Sequence, residues 1–286
     1  MSLLEFLRRR WRDPGPWSAD QIHDEWFRAH FGYAADMVHG WLGSVLDLSQ
    51  ARLLNFGVGD GITDLGLMLR HGARHIEGVD IRQEYRRLPR IAREQLDLRR
   101  LPKGLHFKTI RPSEPLSGRG HVDGVISWST FEHIQRDQLE PIALDLFQLI
   151  RPGGYFFLQI EPLYFSPYGS HLRRYVDEPW HHLQLPDSAL WDRVLAHQGE
   201  INAEERDFGF EAFGPEGYKK FVFDEYLALN RLTADELVAL LRKAGFEVAR
   251  EERRRMALEI PEALRNSHTE ADLLTNEIIL LLRRPV

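Results

Sequence analysis

The stretch Leu53-Leu54-Asn55-Phe56-Gly57-Val58-Gly59-Asp60-Gly61 decides the fold. A short apolar run enters a glycine-rich turn, and a second apolar run, His75-Ile76-Glu77-Gly78-Val79-Asp80, ends in an acid. A strand, a glycine turn, a helix and a carboxylate-tipped strand, in that order, describe a nucleotide-type cofactor lying across the carboxyl ends of a parallel sheet. Gly57 and Gly59 suit a chain that takes φ > 0 or lets a ligand approach its backbone, since a Cβ obstructs both. Asp80 is placed to accept hydrogen bonds from two ribose hydroxyls.

The glycine spacing then selects among cofactors. A dinucleotide turn reads G-x-G-x-x-G/A, its third small residue letting helix and strand pack closely beside a pyrophosphate. The frame from Gly57 and Gly59 puts Ile62 at that position, which opposes NAD. What stands instead, G-x-G-x-G, resembles motif I of the class I S-adenosylmethionine-dependent methyltransferases, where the turn carries the methionine part of the cofactor. Two further blocks follow in the same order. Val122-Asp123-Gly124-Val125-Ile126-Ser127-Trp128-Ser129-Thr130-Phe131-Glu132-His133-Ile134 resembles the fourth-strand block, with Glu132-His133 opening a later helix. Leu149-Ile150-Arg151-Pro152-Gly153-Gly154-Tyr155-Phe156-Phe157-Leu158 resembles the fifth-strand block, where a helix stops at a Pro-Gly-Gly turn.

The resemblance covers residues 51 to 162 plus the tail, and is to the catalytically diverse type 11 branch. It implies an α/β fold: a Rossmann-like, doubly wound, mostly parallel sheet with a reversed C-terminal hairpin. It implies S-adenosylmethionine as cofactor, held by Asn55, Gly57, Val58, Gly59, Gly61, Asp80, Ile81, Ile110, Ser127 and Trp128. Two positions depart from the pattern. Motif I usually opens with an acid, and Asn55 brings no charge to the cofactor's amino group. The third-strand block lacks its acid at Lys108-Thr109-Ile110-Arg111-Pro112, so Ile110 is expected to cover a ring face while backbone groups read its edge.

Strands are predicted at Arg52–Phe56, His75–Asp80, Leu105–Thr109, Val122–Ser127, Gly154–Ile160, Phe246–Arg250 and Glu277–Leu282, with helices between them. An amphipathic helix over Trp26–Leu48 precedes them as a cap on the cleft. Thr233 and Glu236 form a capping box at a helix start, and Gly245 ends that helix. The division is an N-terminal helical cap (1–50), a core (51–162 and 230–286) and a substrate-side insertion or lid (163–229) belonging to the same domain.

Composition narrows the classes. Hydrophobic content of 43% and charged content of 28% suit a globular chain long enough to bury a substantial core. Without cysteine there is no disulfide, thiolate metal site or thiol nucleophile. A net charge of −6 opposes extended nucleic-acid contact. No run is long enough to span a membrane, the amino terminus is no signal peptide, and the expected location is the cytoplasm. Leu3, Leu4, Leu7 and Trp11 stand at helical spacing among arginines, a piece that docks on its own protein or rests on an anionic membrane. Arginines recur from Arg82 to Arg100 and at Arg253-Arg254-Arg255, either as a solvated face among acids or as a site for an acidic acceptor.

The insertion supplies the candidate acceptor pocket. It is rich in aromatics, including Phe208, Phe210, Phe213, Tyr218, Phe221, Phe223 and Tyr226, most of which are expected to form its own small core. An acceptor oxygen with a high pKa calls for a general base, and imidazole suits that task. His171, in a turn after the fifth strand, is the first candidate; His181 and His182 come second, His133 third; a hydrogen-bonded structural role is open for each. A metal site from His171, His181 and His182 matches no zinc spacing, and no metal is assigned. The leading reading is methyl transfer to a small-molecule or glycan-like acceptor, with oxygen favoured. A non-catalytic cofactor-binding protein and, further off, a nicotinamide oxidoreductase are the alternatives.

Overall fold

In the computed structural model of the chain, residues 17, 22–199 and 211–286 are described. The strands are β1 (Arg52–Phe56), β2 (His75–Asp80), β3 (Leu105–Thr109), β4 (Val122–Trp128), β5 (Ile150–Ile160), β6 (Glu247–Arg255) and β7 (Thr275–Arg283). They form one seven-stranded sheet in the order β3-β2-β1-β4-β5-β7-β6. The pairs from β3 through β5 are parallel, and β7 runs antiparallel to both β5 and β6. This is the Rossmann-like, doubly wound sheet with a reversed C-terminal hairpin.

Alternation along the strands feeds two cores. Leu54, Val125, Phe156, Leu158, Ile278 and Leu280 face one side, and Leu53, Ile126, Phe157, Ile279 and Leu281 the other. Both faces are therefore covered, as the near-continuous apolar strands require. One face is covered by helices Leu139–Leu149 and Ala234–Lys243. The other is covered by helices Ile62–His71 and Leu88–Leu96 and by an N-terminal helical run.

That run comprises Glu25–Arg28, a π-helical piece Ala29–Ala34 and Ala35–Leu42. It ends at Leu42, short of the predicted Leu48, where the Ser44 hydroxyl takes up the Trp41 carbonyl. Its Phe27, Phe31, Val38, Trp41 and Leu42 are buried. A Cβ on Gly66 would lie 2.5 Å from the Phe31 carbonyl oxygen, so this glycine lets the run pack directly on helix Ile62–His71.

Strand β5 starts at Ile150 rather than Gly154, because Ile150 pairs with Val122 across a register shift and the Pro-Gly-Gly segment lies inside the strand. The capping box at Thr233 and Glu236 is formed, and Gly245 follows it at φ 107°. In the insertion, Tyr164, Leu172, Leu190, Val194, Phe223 and Tyr226 make a separate small core. Arg90, Arg253, Arg254 and Arg255 pair with Glu94, Asp235, Glu277 and Glu270. The expectations for Leu3, Leu4, Leu7 and Trp11, and for the side chains of Phe208, Phe210 and Phe213, lie outside the described residues. Among the described residues no helix is long and apolar enough to cross a membrane.

Candidate active site

A cleft of about 1660 Å³ opens at the carboxyl ends of β1, β2 and β4. Gly57, Gly59, Asp80, Ile81, Ile110 and Trp128 line one part of it. The β1 turn is left-handed at Gly57, Gly59 and Gly61, with φ of 78°, 57° and 80°. The three glycines differ in what they permit. A Cβ on Gly57 would run into the Thr130 side chain, and one on Gly61 would run into Phe107, so both serve packing within the protein. A Cβ on Gly59 would meet nothing within 4 Å and would project into open space beside the cleft, so this is the glycine that admits a ligand to the backbone.

Backbone amides hold Asp80. Its Oδ2 accepts from the Gly59 N–H and its Oδ1 from the Arg82 N–H, both at 2.9 Å. The carboxylate is thus fixed at the tip of β2 with lone pairs left over. Ile81 beside it is 54% exposed, while Ile110 is buried at the cleft wall. An apolar side chain bared at a cleft lip is free surface for a flat ring to cover. Trp128 stacks on Phe157 at 6.3 Å and meets Tyr33 edge-on.

The remaining candidates for the cofactor lie behind this surface. Asn55 is buried and donates from Nδ2 to Asp64 Oδ1 at 2.7 Å. Asp64 is fully buried, and desolvation raises its pKa to about 7 against the opposing hydrogen bond from Asn55. Val58 fills the space over Gly78, and Ser127 is fully buried inside β4. None of Asn55, Val58, Gly61 and Ser127 is among the residues lining the cleft.

The other end of the cleft is lined by Glu161, Tyr168, His171, Tyr218, Phe221, Glu225 and Tyr226, with His133 between the two ends. Glu132-His133 does not open an α-helix as expected. Phe131–His133 is a single 3-10 turn, and the helix begins only at Leu139. The cause is Asn230, whose side chain donates to the Phe131 and Ile134 carbonyls and whose N–H donates to the Glu132 carbonyl, taking up the acceptors a helix would use.

His171 reaches the same place from the β5 side. Its backbone is left-handed at φ 61°, and its ring lies 5.2 Å from that of His133, edge to face. Burial, followed by the neighbouring His133, pushes its pKa down to about 3, which makes it a weak proton acceptor. His181 and His182 do not enter the cleft. His181 donates from Nδ1 to the Glu178 carbonyl and accepts at Nε2 from the Ser170 hydroxyl at 2.7 Å. His182 donates from Nε2 to the Tyr164 carbonyl at 2.6 Å, and burial lowers its pKa to about 4. Their ring nitrogens face this loop from within the insertion, so they buttress the turn that carries His171.

Sequence reasoning passed over three contributors: Asn230, Trp26 and the side chain of Glu132. Only Glu132 stood inside a recognised block, and nothing local marks the other two.

A family model described as a methyltransferase domain matches residues 28–251, and the chain belongs to that family. It is an S-adenosylmethionine-dependent methyltransferase. A search of curated proteins gives no match. Among solved structures, the chain is similar to the [4+2]-cyclase SpnF, with 16% identity, 95% of this chain and 86% of that chain covered, and a TM-score of 0.53. It is likewise similar to magnesium protoporphyrin IX methyltransferase from Synechocystis with bound SAH, with 14% identity, 99% and 95% coverage, and a TM-score of 0.50. A third is a structure described under the conversion of a disulfide bond into a thioacetal group during echinomycin biosynthesis, with 16% identity, 88% and 80% coverage, and a TM-score of 0.51. These likenesses concern the fold alone, and a shared fold does not fix the chemistry of its site.

The residues fit the cofactor. Gly59 leaves the space, Asp80 supplies fixed acceptors, and Ile81 with Ile110 supplies apolar surface. When bound, the cofactor supplies an activated methyl group on a sulfonium sulfur.

Proposed function

We propose that this methyltransferase methylates a hydroxyl oxygen of a small-molecule or glycan-like acceptor. The observation that carries the reading is the corner made by Glu132, His133 and His171. Neither carboxylate oxygen of Glu132 bonds to another residue, and His171 Nε2 is also without a partner, although both are buried. Buried acceptors left unpaired cost free energy, and a hydroxyl donor offsets that cost where a carbon acceptor would not. Tyr168, Tyr218 and Phe221 line the acceptor end, with Arg173 over the Tyr168 ring and Arg82 over Phe221, and Glu161 and Glu225, held by Asn276 and Arg82, add carboxylates for further hydroxyls.

In this reading Gly59 and Asp80 seat the cofactor, Asn55, Val58, Gly61 and Ser127 support that seat from behind, and Ile81, Ile110 and Trp128 form its walls. From the insertion, Tyr168, His171, Tyr218 and Phe221 close the acceptor end and exclude water. S-adenosylmethionine held in that seat would supply its sulfonium methyl to the acceptor oxygen, and the hydroxyl proton would pass to solvent. What the chain's own residues contribute is positioning of the two reactants, which can be worth up to about 7–11 kcal/mol.

The test is turnover of labelled cofactor with paired acceptors that differ only in carrying a hydroxyl or an amine, the product located by mass spectrometry. An O-methyl ether from the hydroxyl member supports the reading. Methylation confined to nitrogen or carbon overturns it.

A further inference from the structure

The Glu132, His133 and His171 side chains each bring one ligand atom to within 4.8 Å of the other two. We propose that this corner is a binding site for a divalent cation of the first transition row, placed where the acceptor oxygen must lie. Two imidazoles and one carboxylate form a three-ligand set that leaves coordination positions open, an arrangement such ions take up. The ligands come from two separate segments, the turn after β4 and the loop after β5, and each segment is fixed independently. Asn230 clamps the first, and Ser170 with His181 braces the second.

Three details favour a cation over a plain hydrogen-bond cluster. Glu132 is only 6% exposed, yet both of its oxygens lack a partner in another residue. His171 Nε2 has none either, while the ring also bonds to the Pro162 carbonyl, which can only accept. His133 Nδ1 lies 3.8 Å from Glu225, which also pairs with Arg82 at 2.7 Å, so each imidazole has a carbonyl or carboxylate beside it. Metal-bound histidines are oriented by outer partners of this kind. Burial raises the Glu132 pKa to about 8, so the acid keeps its proton when the corner is empty, and a cation that displaces this proton gains both the carboxylate and the open imidazole nitrogen as ligands.

The cation site rests on the placement of these three residues alone. Only the choice of what completes its shell, an acceptor hydroxyl, rests on the reading above.

The experiment titrates the full chain, stripped with chelator, with Mn2+ followed by electron paramagnetic resonance and with Zn2+ followed by calorimetry. One saturable ion per chain is expected. Glu132→Gln and His171→Ala should each weaken it by more than the roughly 10–100-fold that loss of an outer partner costs. Affinity for S-adenosylmethionine, measured on the same variants, should change little, which also shows that they fold. Absence of saturable binding, or binding unchanged in both variants, overturns the proposal. Full methyl transfer to a hydroxyl in chelator overturns the placing of the acceptor oxygen on the ion while leaving the acceptor reading intact. Stoichiometric binding that both variants lose supports the site even where the product proves to be N-methylated, in which case only the acceptor reading falls.

Discussion

The indole N–H of Trp26 donates to the Asp60 carboxylate at 2.7 Å, joining the N-terminal helical run to the glycine turn across 34 positions of sequence. Asp60 is already committed to that turn, since its other oxygen accepts from the Ile62 N–H at 2.9 Å. Trp26 and His30, their rings tilted by 37° at 4.1 Å, both line the cleft beside Gly57 and Gly59.

Trp26→Phe keeps the ring and removes the donor. The bond is solvent-exposed, so the expected loss is about 0.5–1.5 kcal/mol, or roughly two- to tenfold in cofactor affinity. Calorimetric titration checks it, with faster release of bound cofactor in stopped flow as the companion readout. Identical affinity and release rate would show that the contact holds nothing over the cleft.

Asp80→Ala removes the carboxylate fixed by the Gly59 and Arg82 amides. Each charge-assisted bond lost to a ribose hydroxyl should cost about 1.5–3 kcal/mol of cofactor affinity, with the thermal midpoint little changed. Unaltered binding would remove Asp80 from the cofactor site.

Gly57 and Gly59 should fail differently. Alanine at either position places an L side chain at positive φ, at a cost of about 1–2 kcal/mol. At Gly57 the methyl also meets Thr130, so Gly57→Ala should lower the thermal midpoint more, and Thr130→Ala should recover part of that loss in the double variant. At Gly59 the larger Gly59→Val should abolish cofactor binding while the fold survives. Equal effects of the two substitutions on stability and binding would contradict the distinct roles.

Asp64 supplies a pH signature. Its pKa in the folded chain is raised by burial to about 7, against about 4 for an ordinary aspartate. The folded state therefore holds a proton that the unfolded chain releases. Its contribution is full below pH 4 and is lost as pH rises to 7, a loss on the order of a few kcal/mol. Asp60 is the other charge acting on it. Asp64→Asn should flatten the thermal midpoint between pH 4 and pH 7 and raise it above pH 7. A variant that melts in parallel with the wild type across that range would refute the shift.

The sheet was legible because each inner strand is an apolar run closed by a turn residue. β1, β2 and β3 fall where the pattern puts them. β6 extends to Arg255 because an edge strand can carry Glu251-Glu252-Arg253-Arg254, whose charges hide any alternation. The π-helical piece at Ala29–Ala34 leaves no mark in a periodicity of three and four. At the site, the glycine turn and Asp80 are local signals and were readable. The corner was not, because Glu132 and His171 are brought together by Asn230 and the insertion, and no spacing encodes a contact of that range. His181 and His182 looked equivalent to His171 in sequence; only burial and carbonyl partners separate them.

The burial of Phe27, Phe31, Val38 and Trp41 has a consequence for motion. Their side chains belong to the same core as Leu53, Ile62 and Ile279, so the N-terminal run cannot swing away as a rigid flap without dismantling one face of the sheet. What is left free to move in the described part of this run is a side chain. Trp26, 38% exposed at the rim, is the part able to turn on its own, as a latch rather than a door.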